Sequence, residues 1–154
     1  MQLRLEVDAL YARYVDALDE GPISKWPTLF LSEGSYKAVT RENVDRGWPL
    51  ALMLCESRAA IEDRVYAIEN LALTIPRRVR HIVSGLVIAE DGDRLNVSAN
   101  FAVFETLEGN STTCFAAGRY HDVLARDGEG ELKFLHKTSI ADAALINNSL
   151  VIPL

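Results

Sequence analysis

The dominant hydrophobic period of this chain changes at Pro76, from about 3.6 residues to 2, and that switch excludes most architectures. Ahead of it, Leu3, Val7, Leu10, Tyr14 and Leu18, with Tyr11 alongside, form one stripe, while Arg4, Glu6, Arg13 and Asp16 lie off it. The spacing predicts an amphipathic first helix, ended by Gly21-Pro22. Ile23, Trp26 and Phe30 predict a short second helix with Pro27 in its first turn, where amide hydrogens lack partners anyway. Ser35 to Thr40 alternates around Tyr36, Ala38 and Val39 as a strand, and Pro49 to Cys55 fits either a strand or an apolar lead-in. Ser57 is placed to cap a third helix over Arg58 to Asn70, whose Ile61, Val65, Ile68 and following Ala72 share a face.

Beyond Pro76 the alternation predicts four strands. Arg78 to Ile88 carries Gly85 as a bulge, and Asp91-Gly92 is a hairpin turn. Arg94 to Leu107 sets Leu95, Val97, Ala99, Phe101 and Val103 against Asn96, Ser98 and Asn100 on the other face. Gly109-Asn110 turns into Thr112 to Arg126, and Asp127-Gly128-Glu129-Gly130 turns into Leu132 to Asp142. In that last strand Leu132, Phe134, His136, Thr138 and Ile140 share a face. Helices segregated from an antiparallel meander define an α+β class. Strands this long twist and curl, so the expectation is a curved antiparallel sheet wrapped as a cone around about three N-terminal helices. The length, 154 residues, predicts a single domain over 1–154.

Composition narrows the function. Lys plus Arg number 16 against 22 Asp plus Glu, a formal net charge of -6 with no long basic block, which argues against nucleic-acid binding. Apolar runs such as Pro49 to Cys55 fall short of the roughly 18 to 20 residues that cross a bilayer, so no membrane partner is expected. The acid-studded N-terminus lacks a signal core, which predicts a cytoplasmic protein. Cys55 and Cys114 have no C-x-x-C spacing and read as small buried hydrophobes.

A cone has a mouth that can hold a small molecule, and imidazoles or carboxylates pointing into it can act as acid and base. The histidines are His81, His121 and His136, with Asp122 and Asp142 near them in sequence. Strict alternation turns His81 inward with Val79 and Val83, and His136 inward with Phe134 and Ile140. The plainer reading of each is a satisfied core or interface histidine. No local spacing supports a 2-His-1-carboxylate metal site, and the C-x-H and C-x-x-H pairs of a Rieske centre are missing. Nor is there a dinucleotide fingerprint, a P-loop or a nucleophile elbow. The basic run Arg77-Arg78-Val79-Arg80-His81 stands out in an acidic chain, and guanidinium groups fork onto carboxylates across interfaces, so Arg77, Arg78, Arg80 and His81 are candidate subunit contacts. The apolar tail Ala143 to Leu154 is expected to pack on the sheet or on a partner, with Leu150 and Ile152 as contacts.

Several segments, in order and on the expected elements, carry a family resemblance. They are Trp26-Pro27-Thr28-Leu29-Phe30 followed by Tyr36, Arg78-Val79-Arg80-His81-Ile82, Asn100-Phe101-Ala102-Val103, Gly118-Arg119-Tyr120-His121-Asp122-Val123-Leu124, Asp142, and Asn148-Ser149-Leu150. From about Tyr11 onward the chain resembles the small (beta) subunit of Rieske non-haem iron aromatic-ring-hydroxylating oxygenases, a branch of the NTF2-like, cystatin-like cone folds. Val39-Thr40-Arg41-Glu42-Asn43, Ala51-Leu52-Met53 and Glu56-Ser57-Arg58 resemble members acting on aromatic acids such as terephthalate or salicylate. One departure is Leu135-His136-Lys137-Thr138, where relatives carry more arginine.

The resemblance, with which the missing motifs agree, implies a structural role in aromatic catabolism, with no catalytic, cofactor-binding or metal-ligating residue in this chain. A large (alpha) subunit would carry the Rieske [2Fe-2S] cluster and mononuclear Fe(II), and the small subunit would trimerise within an alpha3beta3 hexamer. The alternative is a free-standing NTF2-like dehydratase or isomerase using His81 with Asp142 or His121. A third reading is a non-catalytic small-molecule-binding module, and the shared fold does not discriminate among the three.

Overall fold

The structure, a computed structural model, describes residues 1–72, 75–146 and 149–154. Helix α1 (Gln2–Asp19) leads through a 3-10 helix (Ile23–Leu29) into strand β1 (Phe30–Thr40). Helix α2 (Arg41–Asp45), strand β2 (Met53–Cys55) and helix α3 (Arg58–Asn70) follow. Then come the long strands β3 (Arg77–Asp91), β4 (Arg94–Leu107), β5 (Thr113–Arg126) and β6 (Leu132–Ala141). All six strands join one curved, open sheet in the order β2-β1-β6-β5-β4-β3.

The local signals act as their chemistry dictates. The α1 stripe buries Val7, Leu10, Tyr11, Tyr14 and Leu18 against the concave face. Ser57 caps α3 by accepting from the Ala60 amide at 3.2 Å. Gly85 sits at φ +63°, and the β3–β4 register shifts between Ser84 and Val87, as a bulge requires. On β4, Val97, Ala99, Phe101 and Val103 face the core.

Other expectations need correction. The sheet is mixed rather than antiparallel, because β1 runs parallel to β6. A parallel partner must be reached by a long crossover, here the whole stretch from α2 to β5, which no local pattern encodes. The second helix is of 3-10 type and ends at Leu29, so Phe30 opens β1 and Pro27 lies in the helix interior rather than its first turn. The single turn α2 was not anticipated; Thr40 caps it by accepting from the Asn43 amide at 3.2 Å. Cys55 is buried as expected, but Cys114 is exposed at the rim of β5. Ala72, expected on the buried face of α3, is exposed.

The most consequential correction is on β6. Val123 pairs with His136 but Leu124 pairs with Phe134, so Leu135 is an extra, bulged residue. The bulge inverts the alternation beyond it. His136 therefore points outward to Ser35 Oγ, 2.9 Å from its Nδ1, while Lys137, Ser139 and Ala141 point into the cone.

Helix α1 also shields the sheet edge. The outer amide of His81 on β3 donates to Asp19 Oδ2 at 2.8 Å, and Arg4 Nη1 donates to Leu86 O at 3.1 Å. Two backbone groups that would otherwise invite another strand are occupied. The meander is tightest at Gly118 on β5, where a Cβ would lie 1.8 Å from Ile140 O. Backbone cannot yield as a side-chain tip does. Gly118→Ala is expected to cost about 3 kcal/mol, the upper part of the overpacking range, as read by urea unfolding.

Candidate functional site: the interior of the cone

The deepest polar group is an ion pair. Lys137 on β6 meets Asp122 on β5, Nζ to Oδ2 3.0 Å, with both side chains at 0% exposure. The second oxygen, Oδ1, accepts the Thr138 amide at 3.0 Å, and the Tyr11 hydroxyl on α1 donates to Oδ2 in a short contact. Aromatic faces complete the cage: the ammonium lies 3.3 Å from the Tyr120 ring centre and 4.4 Å from that of Tyr14. Burial pushes Lys137 down to about 8, against the opposing pull of Asp122. Burial likewise pushes the phenols of Tyr11, Tyr14, Tyr36 and Tyr120 up.

Above this layer the tail closes the mouth. Pro153 and Leu154 are buried. The Tyr14 hydroxyl donates to Leu154 O at 2.5 Å and Ser139 Oγ donates to the same oxygen at 3.0 Å, while the Leu154 amide donates to the Tyr36 hydroxyl at 2.8 Å. Between these two layers the rings pack directly. Tyr120 stacks on Phe101 with centres 4.6 Å apart, and Phe134 lies 5.6 Å from both Tyr11 and Tyr14. The larger hollows include a groove of about 460 Å³ between α1 and β3 that Tyr11, Val83 and Leu86 help to line.

The anticipated residues separate. His81 points inward, as alternation requires, but its partner is Asp19 at the end of α1, with Nδ1 2.6 Å from Oδ1. Its Nε2 donates to Pro153 O at 3.0 Å. Neither Asp142 nor His121 meets it among the described hydrogen bonds and ion pairs. Both are exposed, Asp142 beside Arg41 at 3.8 Å and His121 on the convex face. The acid–base pair considered for a free-standing enzyme is thus not assembled; alternation along one strand cannot reveal a partner at the end of a distant helix.

The basic run divides in three. Arg77 is tied to the buried Glu105 at 2.8 Å, Arg78 is exposed, and Arg80 pairs with Glu20 at the surface. Leu150 and Ile152 are partly buried against the core. Asn148, part of the resemblance, lies outside the described residues. Among the described residues no group of three or more His, Cys, Asp or Glu could hold a metal ion. No described helix is long and apolar enough to cross a membrane.

Sequence reasoning missed Lys137 as an interior residue, and the only signal pointing there was the departure noted at Leu135-His136-Lys137-Thr138. The family model described as the ring hydroxylating beta subunit matches residues 13–148. The chain belongs to that family. It is 27% identical to the anthranilate 1,2-dioxygenase small subunit of Burkholderia cepacia, covering 100% of this chain and 96% of that one. It is 26% identical to terephthalate 1,2-dioxygenase terminal oxygenase component subunit beta 2 of a Comamonas species, covering 97% of each. A crystal structure of the beta subunit assigned to an aromatic-ring-hydroxylating dioxygenase of Novosphingobium aromaticivorans superposes with TM-score 0.86 at 32% identity, covering 97% of this chain and 95% of that one. This ring-hydroxylating dioxygenase beta subunit is accordingly a small subunit of an oxidoreductase, and a large subunit is its partner.

Proposed function

We propose that the chain, as one domain, braces a large subunit that carries a Rieske [2Fe-2S] cluster and mononuclear iron, in an alpha3beta3 hexamer of the cytoplasm. Its substrate would be an aromatic carboxylic acid, because the relatives at 27% and 26% identity are named for anthranilate and terephthalate. The observation that carries the structural role is the packed interior: rings, an ion pair and the chain's own tail take the space where a pocket enzyme would hold substrate. The exposed Arg78, with Arg77, Arg80, His81, Leu150 and Ile152 around the same end of the cone, forms the subunit-contact region. Arg77 and His81 act there from beneath, by stiffening the start of β3 through Glu105 and Asp19.

Native mass spectrometry of this chain co-expressed with its large subunit, with iron quantified in each species, tests the assembly. Three copies of each chain, with iron following only the large subunit, is the expected result. A monomer or homodimer indifferent to the large chain would overturn the reading. Charge reversal at Arg78 is expected to lower recovery of the mixed complex at least about tenfold, equivalent to about 1.4 kcal/mol of binding; unchanged recovery would remove Arg78 from the interface.

A further inference from the structure

The tail is seated in an unusual manner. Among the described residues, no main-chain to main-chain hydrogen bond joins residues 149–154 to the sheet. Buried side chains from α1, β1, β3 and β6 hold it instead: Tyr14, Tyr36, His81 and Ser139 contact the main chain of Pro153 and Leu154. Each of these four side chains is buried, and together they read amide and carbonyl groups rather than the identity of a side chain. The fit around the segment leaves a void of about 10 Å³ against Arg77, Val79, Val103, Glu105 and Phe115, at the lower limit for one water. A segment that shares no ladder with the body can leave without breaking the sheet.

We infer that the mouth of the cone is a binding site for an extended apolar peptide segment, occupied in cis by residues 149–154 and able to take the same segment from a second copy of this chain. The match is between a built receptor and a known occupant, and any second copy presents that occupant again. Exchange of an identical element between copies needs no new contact chemistry. The intramolecular tail competes at high effective concentration, so an added peptide gains access only when the cis segment is weakened.

The probe is a fluorescent, end-blocked peptide Ser-Leu-Val-Ile-Pro-Leu, titrated by anisotropy against the full chain carrying Leu154→Gly and, separately, Pro153→Gly. Saturable binding to at least one variant is expected, at least about tenfold tighter than to the unsubstituted chain. Adding Tyr36→Phe to the variant that binds removes the acceptor for the peptide's last amide and lowers affinity about fivefold, the equivalent of one hydrogen bond. Absence of binding to both glycine variants overturns the inference. So does binding that Tyr36→Phe leaves unchanged, because the peptide would then sit elsewhere.

Discussion

Lys137→Met is expected to lower the unfolding free energy by about 3 to 5 kcal/mol, the usual cost of removing one partner from a buried ion pair. The methionine fills the same space among Tyr11, Tyr14 and Tyr120, so packing changes little. What changes is the charge balance. Asp122 keeps the Thr138 amide and the Tyr11 hydroxyl as donors but loses the ammonium, in a site with no access to water. For a chain of this length the melting temperature should fall by about 10 to 15 °C. Adding Asp122→Asn to Lys137→Met removes the stranded charge while leaving an oxygen for the Thr138 amide. The double variant should be more stable than Lys137→Met alone, and a double-mutant cycle by urea unfolding reads that coupling. A Lys137→Met chain within 1 kcal/mol of the parent would contradict the cage described above.

The second large effect is alkaline. Tyr11, Tyr14, Tyr36 and Tyr120 are buried and held up from the ordinary value of 10, chiefly by desolvation of the phenolate. In the unfolded chain they ionise near 10, whereas folded they stay protonated, so the unfolded state binds fewer protons above that pH. Their stabilising contribution is complete below pH 10 and is lost above it, at about 1.4 kcal/mol per group per pH unit, or about 5 kcal/mol per unit for the four. Lys137 acts with the opposite sign. Its folded value is about 8 against 10.5 unfolded, so the unfolded chain binds more protons between those values and stability rises with pH through that window. Urea midpoints are thus expected to climb modestly between pH 8 and 10 and then to collapse. A midpoint that is flat to pH 11.5 would contradict the buried tyrosine cluster.

What the sequence conveyed and what it withheld divide along physical lines. The α1 stripe, the Ser57 cap, the Gly85 bulge and the alternation of β4 are local, and each appears where spacing placed it. The parallel pairing of β1 with β6 is not local, because it joins segments about a hundred residues apart. The bulge at Leu135 has no glycine or proline to announce it, yet it exchanges His136 for Lys137 at the cone interior. The motif from Gly118 to Leu124 carried the family resemblance without its reasons being visible. One reason is the backbone contact of Gly118 with Ile140 O, and another is the carboxylate of Asp122 held by three donors from two other elements. His81 was legible as inward-facing, but Asp19 and Pro153, which satisfy its two nitrogens, come from the far end of α1 and from the tail.

On the proposed function, this beta subunit contributes architecture and no reacting group. The most direct measurement is turnover per iron of the purified complex containing His121→Ala and Asp142→Ala, the residues weighed as partners of His81 for an acid–base enzyme on this fold. Turnover within about twofold of the parent complex is expected. A loss of a hundredfold or more, with assembly and iron content intact, would contradict it, since removal of a general acid or base typically costs about that factor or more.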